Sequence, residues 1–236
     1  MISGKKILVV VPARGGSKGI KLKNIRKVGG IPLVGHAGNC INQLNGIDKS
    51  IISTDSLKIK EVAIRYNLEA PFLRPKNLSG DFISDYEVLI HALIEMENID
   101  KTVYDLIVMI QPTSPLRKPE HISRSINLLI KENYDSVWTI SETDLKYHPL
   151  KQLVINDKGK LDYFCENGSD IIARQQLKPV FHRNGICYVI TRKCLLEHKN
   201  IKGLNSGFLK VDENHISIDT EDDLLRVEKI YNKNKE

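Results

Sequence analysis

Two rhythms of apolar and polar positions alternate along the first two-thirds of the chain. Short apolar-rich runs recur at residues 7–11, 49–53, 106–110 and 136–140. Runs of this length read as strands covered on both faces. Between them, residues 33–44, 57–66, 85–97 and 120–132 repeat their apolar positions at helical spacing. Alternation at this pitch predicts an α/β fold, Rossmann-like, with a mostly parallel sheet and helices on both faces. Ser84 or Asp85 is placed to cap the third helix, and Pro119 is pre-set for the first turn of the fourth. A short strand is also expected over residues 68–72.

The rhythm breaks between Asp144 and Phe181. His148-Pro149, Asn156-Asp157-Lys158-Gly159-Lys160 and Lys178-Pro179 interrupt it, and residues 153–155 and 161–164 read as a hairpin closed by the Asn-Asp-Lys-Gly turn. The pattern then resumes with a strand at 186–191, a helix near 192–198 and strand-like stretches at 208–211 and 216–218. A final helix over 224–231 is opened by the acidic run Asp219 to Asp223, which suits the positive end of a helix. This organisation assigns residues 1–143 and 182–236 to one α/β domain and residues 144–181 to an inserted lobe. An excursion of that length within a compact domain is usually functional.

Composition narrows the picture. The chain has 236 residues, 41% hydrophobic and 27% charged, which is ordinary for a globular protein of one domain. No apolar run reaches the roughly 18 residues of a membrane span. The apolar stretch after Lys5 and Lys6 is too short for a secretory signal, so a cytoplasmic location is expected. Cys40, Cys165, Cys187 and Cys194 form no C-x-x-C pair, which argues against a structural zinc site. The net charge of +6 suits anionic ligands. No interleaving of aromatic and basic residues points to nucleic acid.

The candidate chemistry begins where the first strand ends. Pro12 closes the apolar run, and Gly15, Gly16 and Gly19 follow among Arg14, Lys18, Lys21 and Lys23. Glycines let backbone N–H groups crowd an anion while cations neutralise it, so this turn reads as a polyphosphate cradle at the carboxyl edge of a sheet. Its spacing fits neither the P-loop nor the dinucleotide fingerprint. Read without further support, the same residues make a basic, solvated turn.

The segment Pro12-Ala13-Arg14-Gly15-Gly16-Ser17-Lys18-Gly19 with Lys23-Asn24 resembles the signature of the sugar-acid cytidylyltransferases. These are the CMP-sialic acid synthetases and bacterial relatives acting on legionaminic, pseudaminic and 3-deoxy-octulosonic acids. The resemblance continues through Leu73-Arg74-Pro75, Gln111-Pro112-Thr113-Ser114-Pro115-Leu116-Arg117, His148-Pro149-Leu150-Lys151, Arg174-Gln175-Gln176-Leu177, Asn184-Gly185 with Tyr188, and Ile218-Asp219-Thr220. In order, these motifs span nearly the whole chain.

The resemblance implies transfer of CMP from CTP to a nine-carbon sugar acid with Mg²⁺ (or Mn²⁺), in a homodimer whose inserted lobe crosses to the second subunit. It implies nucleotide contacts from Ala13, Arg14, Gly15, Gly16, Ser17, Lys23, Asn24 and Arg74. Gln111, Lys151, Arg174, Gln175 and Tyr188 fall to the sugar acid, and Arg14, Lys23 and Asp219 to catalysis, with Asp219 also on the metal. A guanidinium such as that of Arg174 is chemically apt for the sugar's carboxylate. Some positions keep two readings: Arg74 also as a loop arginine, Tyr188 also as a core residue, and Asp55 as a turn cap first and an extra acidic group beside the metal second. Arg117 is read as structural.

Departures fall at two places, the metal site and the sugar pocket. The sialic enzymes carry Asp-x-Asp where this chain reads Ser217-Ile218-Asp219, and their acidic residue before Arg174 is replaced by Ile171-Ile172-Ala173. Phe208 stands beside Gly207 where a phenylalanine pair is expected. These changes fall on the metal and the sugar pocket, and favour a legionaminate- or pseudaminate-type acid as much as sialic acid itself. The alternatives are a CMP-3-deoxy-octulosonate synthetase and a catalytically silent nucleotide-binding regulator.

Overall fold

In the computed structural model, which describes residues 1–213 and 215–233, the first apolar run forms β1 (Ile7–Pro12). Its residues Ile7 to Val11 are wholly buried, as a strand covered on both faces must be. A small hairpin follows, β2 (Lys27–Val28) and β3 (Ile31–Pro32), then α1 (Leu33–Ile41), β4 (Lys49–Ser53) and α2 (Leu57–Ile64). Next come α3 (Asp85–Asp100), β5 (Leu106–Met109), α4 (Pro119–Glu132) and β6 (Ser136–Glu142). The chain continues through β7 (Leu153–Ile155), β8 (Leu161–Tyr163), β9 (Phe181–Thr191), α5 (Arg192–Leu196), β10 (Ser206–Lys210) and α6 (Glu221–Lys233).

Six strands form the main sheet in the order β10-β6-β9-β5-β1-β4. β1 pairs in parallel with both β4 and β5, and β9 runs antiparallel to β5 with Tyr188 opposite Met109. Leu8, Val10, Ile107 and Met109 pack with Leu89, Leu93 and Met96 of α3 in one buried cluster. A second cluster joins Ile20, Val28 and Leu33 to Ile218 and to Leu224 and Val227 of α6.

Helix ends follow local chemistry. Ser84 accepts the Glu87 N–H while the Glu87 carboxylate accepts the Ser84 N–H at 2.8 Å, a reciprocal cap that fixes the start of α3. Pro119 takes the first turn of α4. Ser56 caps α2 and Thr191 caps α5. At the other ends of α3 and α4, Lys101 and Asn133 adopt left-handed conformations that stop the helices.

Several expectations change in detail. Residues 216–218 form no strand, although Ile218 is wholly buried and its N–H donates to the Thr113 carbonyl at 2.9 Å. Residues 68–72 contribute a single bridge, Glu69 to Ile51, because Pro71 has no N–H to extend a ladder. The helix after Thr191 ends at Leu196.

Two compact units divide the chain. The first comprises residues 1–139 and 184–209 with the C-terminal segment. The second comprises residues 140–183 and 210–213. Inside the second unit, β7 and β8 form an antiparallel hairpin pairing Leu153 with Tyr163. Thr143 N–H donates to the Val180 carbonyl, and the Lys210 ammonium reaches Glu142 at 2.8 Å. All six residues of β7 and β8 are exposed. Among the described residues, no helix is long and apolar enough to cross a membrane.

Candidate active site

Within the first unit, a cleft of about 540 Å³ opens where β1 and β5 end. The glycine turn forms one wall with Arg14, Ser17, Lys18, Gly19, Lys23 and Asn24. Arg74 and the strap Ser79-Gly80-Asp81 form another, and Gln111, Thr113, Ser217 and Asp219 complete the lining. The carboxyl edge of a parallel sheet is where ligands of such folds bind.

The cations of the turn are held by acidic and carbonyl oxygens. Arg14 donates to the Gly80 carbonyl at 2.8 Å and pairs with Asp81 at 2.9 Å. Lys18 takes the other Asp81 oxygen at 2.5 Å. The Lys18 ammonium, with Arg14 behind it, holds the Asp81 carboxyl below the usual carboxylate range. Lys23 donates to Asp219 at 2.8 Å. Gly19 makes that meeting sterically feasible, since a Cβ there would lie 2.7 Å from the Asp219 carbonyl oxygen. Three positions after Lys23, Arg26 grips Glu221 through two hydrogen bonds and ties the end of the turn to α6.

Other expected residues hold the frame. Ala13 is buried and its N–H donates to the Ser53 carbonyl at 2.9 Å. The Gly15 N–H donates to Asp55 at 2.8 Å, and Gly16 is exposed outside the lining. Asn24 is buried, and its amide donates to the Arg14 carbonyl at 3.0 Å. Arg74 is only 4% exposed, and its Nε donates to Ser79 at 3.2 Å. Burial lowers its pKa, with Asp55 countering that effect.

Gln111 lines the cleft with its side-chain oxygen against Gly185. Arg117 is structural: it is buried and donates to the carbonyls of Gln111, Gly185 and Ile186. Burial brings its pKa down to about 10. Tyr188 lies in the core, edge-on to Trp138 with ring centres 5.3 Å apart, and its hydroxyl accepts the Gly185 N–H. Lys151, Arg174 and Gln175 belong to the second unit, where all three are exposed. Arg174 lies 3.9 Å from Asp144 there.

Among the described residues, no group of three or more His, Cys, Asp and Glu side chains is arranged to hold a metal. Asp219 offers one exposed carboxylate beside the hydroxyls of Ser217 and Thr113, themselves 3.3 Å apart, while the Asp223 carboxylate is taken by the N–H groups of Asp219 and Thr220. That set fits Mg²⁺ or Mn²⁺, hard ions that keep waters and take phosphate oxygens alongside one or two carboxylates. Asp81 is the residue that the sequence left unmentioned. Its acidic side chain in an ordinary Ser-Gly-Asp loop carries no local signal of the two cations it meets.

The fold is that of the nucleotidyltransferases. The chain superposes on the CMP:2-keto-3-deoxy-manno-octonic acid synthetase complexed with CTP with a TM-score of 0.73 at 16% identity, covering 97% of this chain and 99% of that one. A 4-diphosphocytidyl-2C-methyl-D-erythritol synthase from Anaerococcus prevotii gives 0.66 at 15% identity, covering 98% and 100%. The family model described as cytidylyltransferase matches residues 8–234, and the chain belongs to that family. It is therefore a nucleotidyltransferase with CTP as its nucleotide. Similar proteins include the CMP-N,N'-diacetyllegionaminic acid synthase of Legionella pneumophila, 32% identical over 98% of both chains. A pseudaminic acid cytidylyltransferase of Campylobacter jejuni is also 32% identical over 98% of both. The N-acylneuraminate cytidylyltransferase of Streptococcus agalactiae is 28% identical over 94% of this chain and 52% of its own.

Proposed function

We propose that the protein activates a nonulosonic acid with CTP, a sugar hydroxyl attacking the α-phosphorus while pyrophosphate leaves. The observation that carries this reading is the cleft lined by three cations, Arg14 and Lys18 paired with Asp81 and Lys23 paired with Asp219. Transfer of a phosphorus group depends mainly on positioning and charge stabilisation, which this set supplies. The triphosphate takes over from Asp81 the contacts to Arg14 and Lys18. Lys23 neutralises the negative charge that grows on the leaving pyrophosphate. Ser17 and Asn24 add hydrogen bonds, and Ala13, Gly15 and Gly16 give the turn the shape it needs. Arg74, buried beside the nucleotide wall, addresses the nucleotide.

Asp219 would hold Mg²⁺ or Mn²⁺, assisted through water by Ser217. Such an ion, when bound, stabilises charge on the phosphate oxygens. Gln111, Lys151, Arg174, Gln175 and Tyr188 serve the sugar acid, with Arg174 for its carboxylate. Residues 144–181 form the dimerisation lobe of a cytoplasmic homodimer, and neither nucleic acid nor membrane is a partner. The names of the Legionella and Campylobacter relatives support a legionaminate- or pseudaminate-type acid.

The test is pyrophosphate release from CTP with Mg²⁺ and N,N'-diacetyllegionaminate, beside calorimetry of CTP alone. Binding with acid-dependent release is expected. Binding without release from any sugar acid would leave the silent regulator.

A further inference from the structure

Asp55 lies outside the lining of the cleft, yet it governs the turn that forms one wall. Three hydrogen bonds hold the backbone on either side of Arg14. Ser53 accepts the Ala13 N–H at 2.9 Å, Asn24 donates to the Arg14 carbonyl at 3.0 Å, and Asp55 accepts the Gly15 N–H at 2.8 Å. The first continues the β1–β4 ladder, in which Pro12 stands opposite Ser53. The other two come from side chains. The Asp55 bond joins the glycine turn to the segment after β4.

That segment is itself tightly fixed. Ser56 N–H donates to the Thr54 hydroxyl at 3.1 Å, and Ser56 caps α2. The wholly buried Thr54 accepts the Arg74 N–H through its carbonyl at 2.8 Å. Gly15 packs so closely here that a Cβ would lie 3.1 Å from Ser56 Cβ and 3.7 Å from the Asp55 carboxylate. Residues 54–56 thus hold the backbone at Arg74 from one side and at Gly15 from the other. The Asp55 charge also offsets the burial of the Arg74 guanidinium.

We infer that Asp55 is a positioning residue for nucleotidyl transfer, holding the Gly15 amide so that Arg14 meets the triphosphate in register with Arg74. The inference rests on the cytidylyltransferase reading of this cleft. Asp55 touches no substrate. Its acceptor oxygen sets where the turn lies, and small displacements of a charge-stabilising group lower turnover steeply. A residue acting this way affects kcat more than affinity for CTP, because the cations remain present when the turn shifts.

The experiment compares Asp55→Ala with Asp55→Asn in the full chain. Asparagine keeps an acceptor oxygen for Gly15; alanine removes it. For Asp55→Ala we expect kcat per folded molecule to fall about 30-fold, with KM for CTP changing less than about threefold. Asp55→Asn should recover most of that loss. Hydrogen exchange should find the Gly15 amide protected in the wild type and in Asp55→Asn, and unprotected in Asp55→Ala.

Equal loss in both variants, or an unchanged kcat in alanine, would overturn the inference. So would a Gly15 amide that exchanges freely in the wild type. Should alanine not fold, Gly15→Ala takes its place. The added Cβ presses on Ser56, and kcat must fall there with KM for CTP held. A wild type that releases no pyrophosphate would sink the cytidylyltransferase reading alone, since Gly15 protection still reads the Asp55 contact without turnover.

Discussion

The cleft of the first unit and the hairpin of the second treat their side chains in opposite ways. In the cleft, Arg14 and Lys18 share Asp81, Lys23 meets Asp219, and the Gly15 and Ala13 amides have acceptors. In the hairpin, Ile155 is 76% and Leu161 70% exposed, and Leu153 and Tyr163 also face water. A two-stranded hairpin is marginal on its own, and clustered apolar exposure marks an interaction surface. The cleft's side chains are held by partners within the first unit, whereas the hairpin carries an apolar surface left exposed among the described residues. The difference separates the cleft, which we assign to the nucleotide, from the hairpin, which we assign to a second copy.

Substitutions can break that contrast at either end. The largest effect is expected from Asp219→Asn, which removes the carboxylate paired with Lys23 beside Ser217 and Thr113. Mg²⁺-dependent pyrophosphate release should fall about 10²–10³-fold, in the range found when one charge-stabilising group is deleted. An active variant would take Asp219 out of the metal site. Arg14→Ala should cost about 10²-fold in turnover. Its melting temperature should change little, because a half-exposed ion pair contributes under about 1 kcal/mol. Near-normal turnover would remove Arg14 from the machinery.

The hairpin is tested by Ile155→Asp with Leu161→Asp, read by sedimentation and by CTP calorimetry. The pair should dissociate a dimer and leave CTP affinity within about twofold, because neither residue lines the cleft and isolated surface charges interact weakly. A monomeric wild type would contradict the assignment of this surface to a second copy.

The smallest effect belongs to Asp81→Asn. Removing the resident carboxylate should tighten CTP binding about threefold, the scale of one exposed ion pair. Weaker binding would mean that Asp81 helps to hold the nucleotide. The sign with pH follows from the lowered carboxyl. Its pairing with Lys18 and Arg14 is complete above the ordinary carboxylate value, near pH 4, and is lost only as pH falls through the lower folded value. Asp81→Asn should lack that acid transition.

Much of this was legible in the residues. Five consecutive apolar residues before Pro12 predicted β1, Ser84 and Pro119 marked two helix starts, and the glycines among cations located the cleft. What escaped was set by contacts between distant segments. Asp55 reads as a turn cap because nothing local joins it to Gly15, 40 positions away. Asp81 meets Lys18 and Arg14 only once the strap folds across the turn. The β2–β3 hairpin is two residues a side, too short for any periodicity. β9 begins at Phe181, earlier than expected, since His182 and Arg183 lie outside the apolar run at 186–190.

The most direct test of the account is CMP-sugar formation from CTP and Mg²⁺ across N-acetylneuraminate, N,N'-diacetyllegionaminate, pseudaminate and 3-deoxy-octulosonate, followed by mass spectrometry. The account predicts one strong product, from the legionaminate or the pseudaminate. Preferential activation of 3-deoxy-octulosonate, or CTP binding with no product from any of the four, would contradict it.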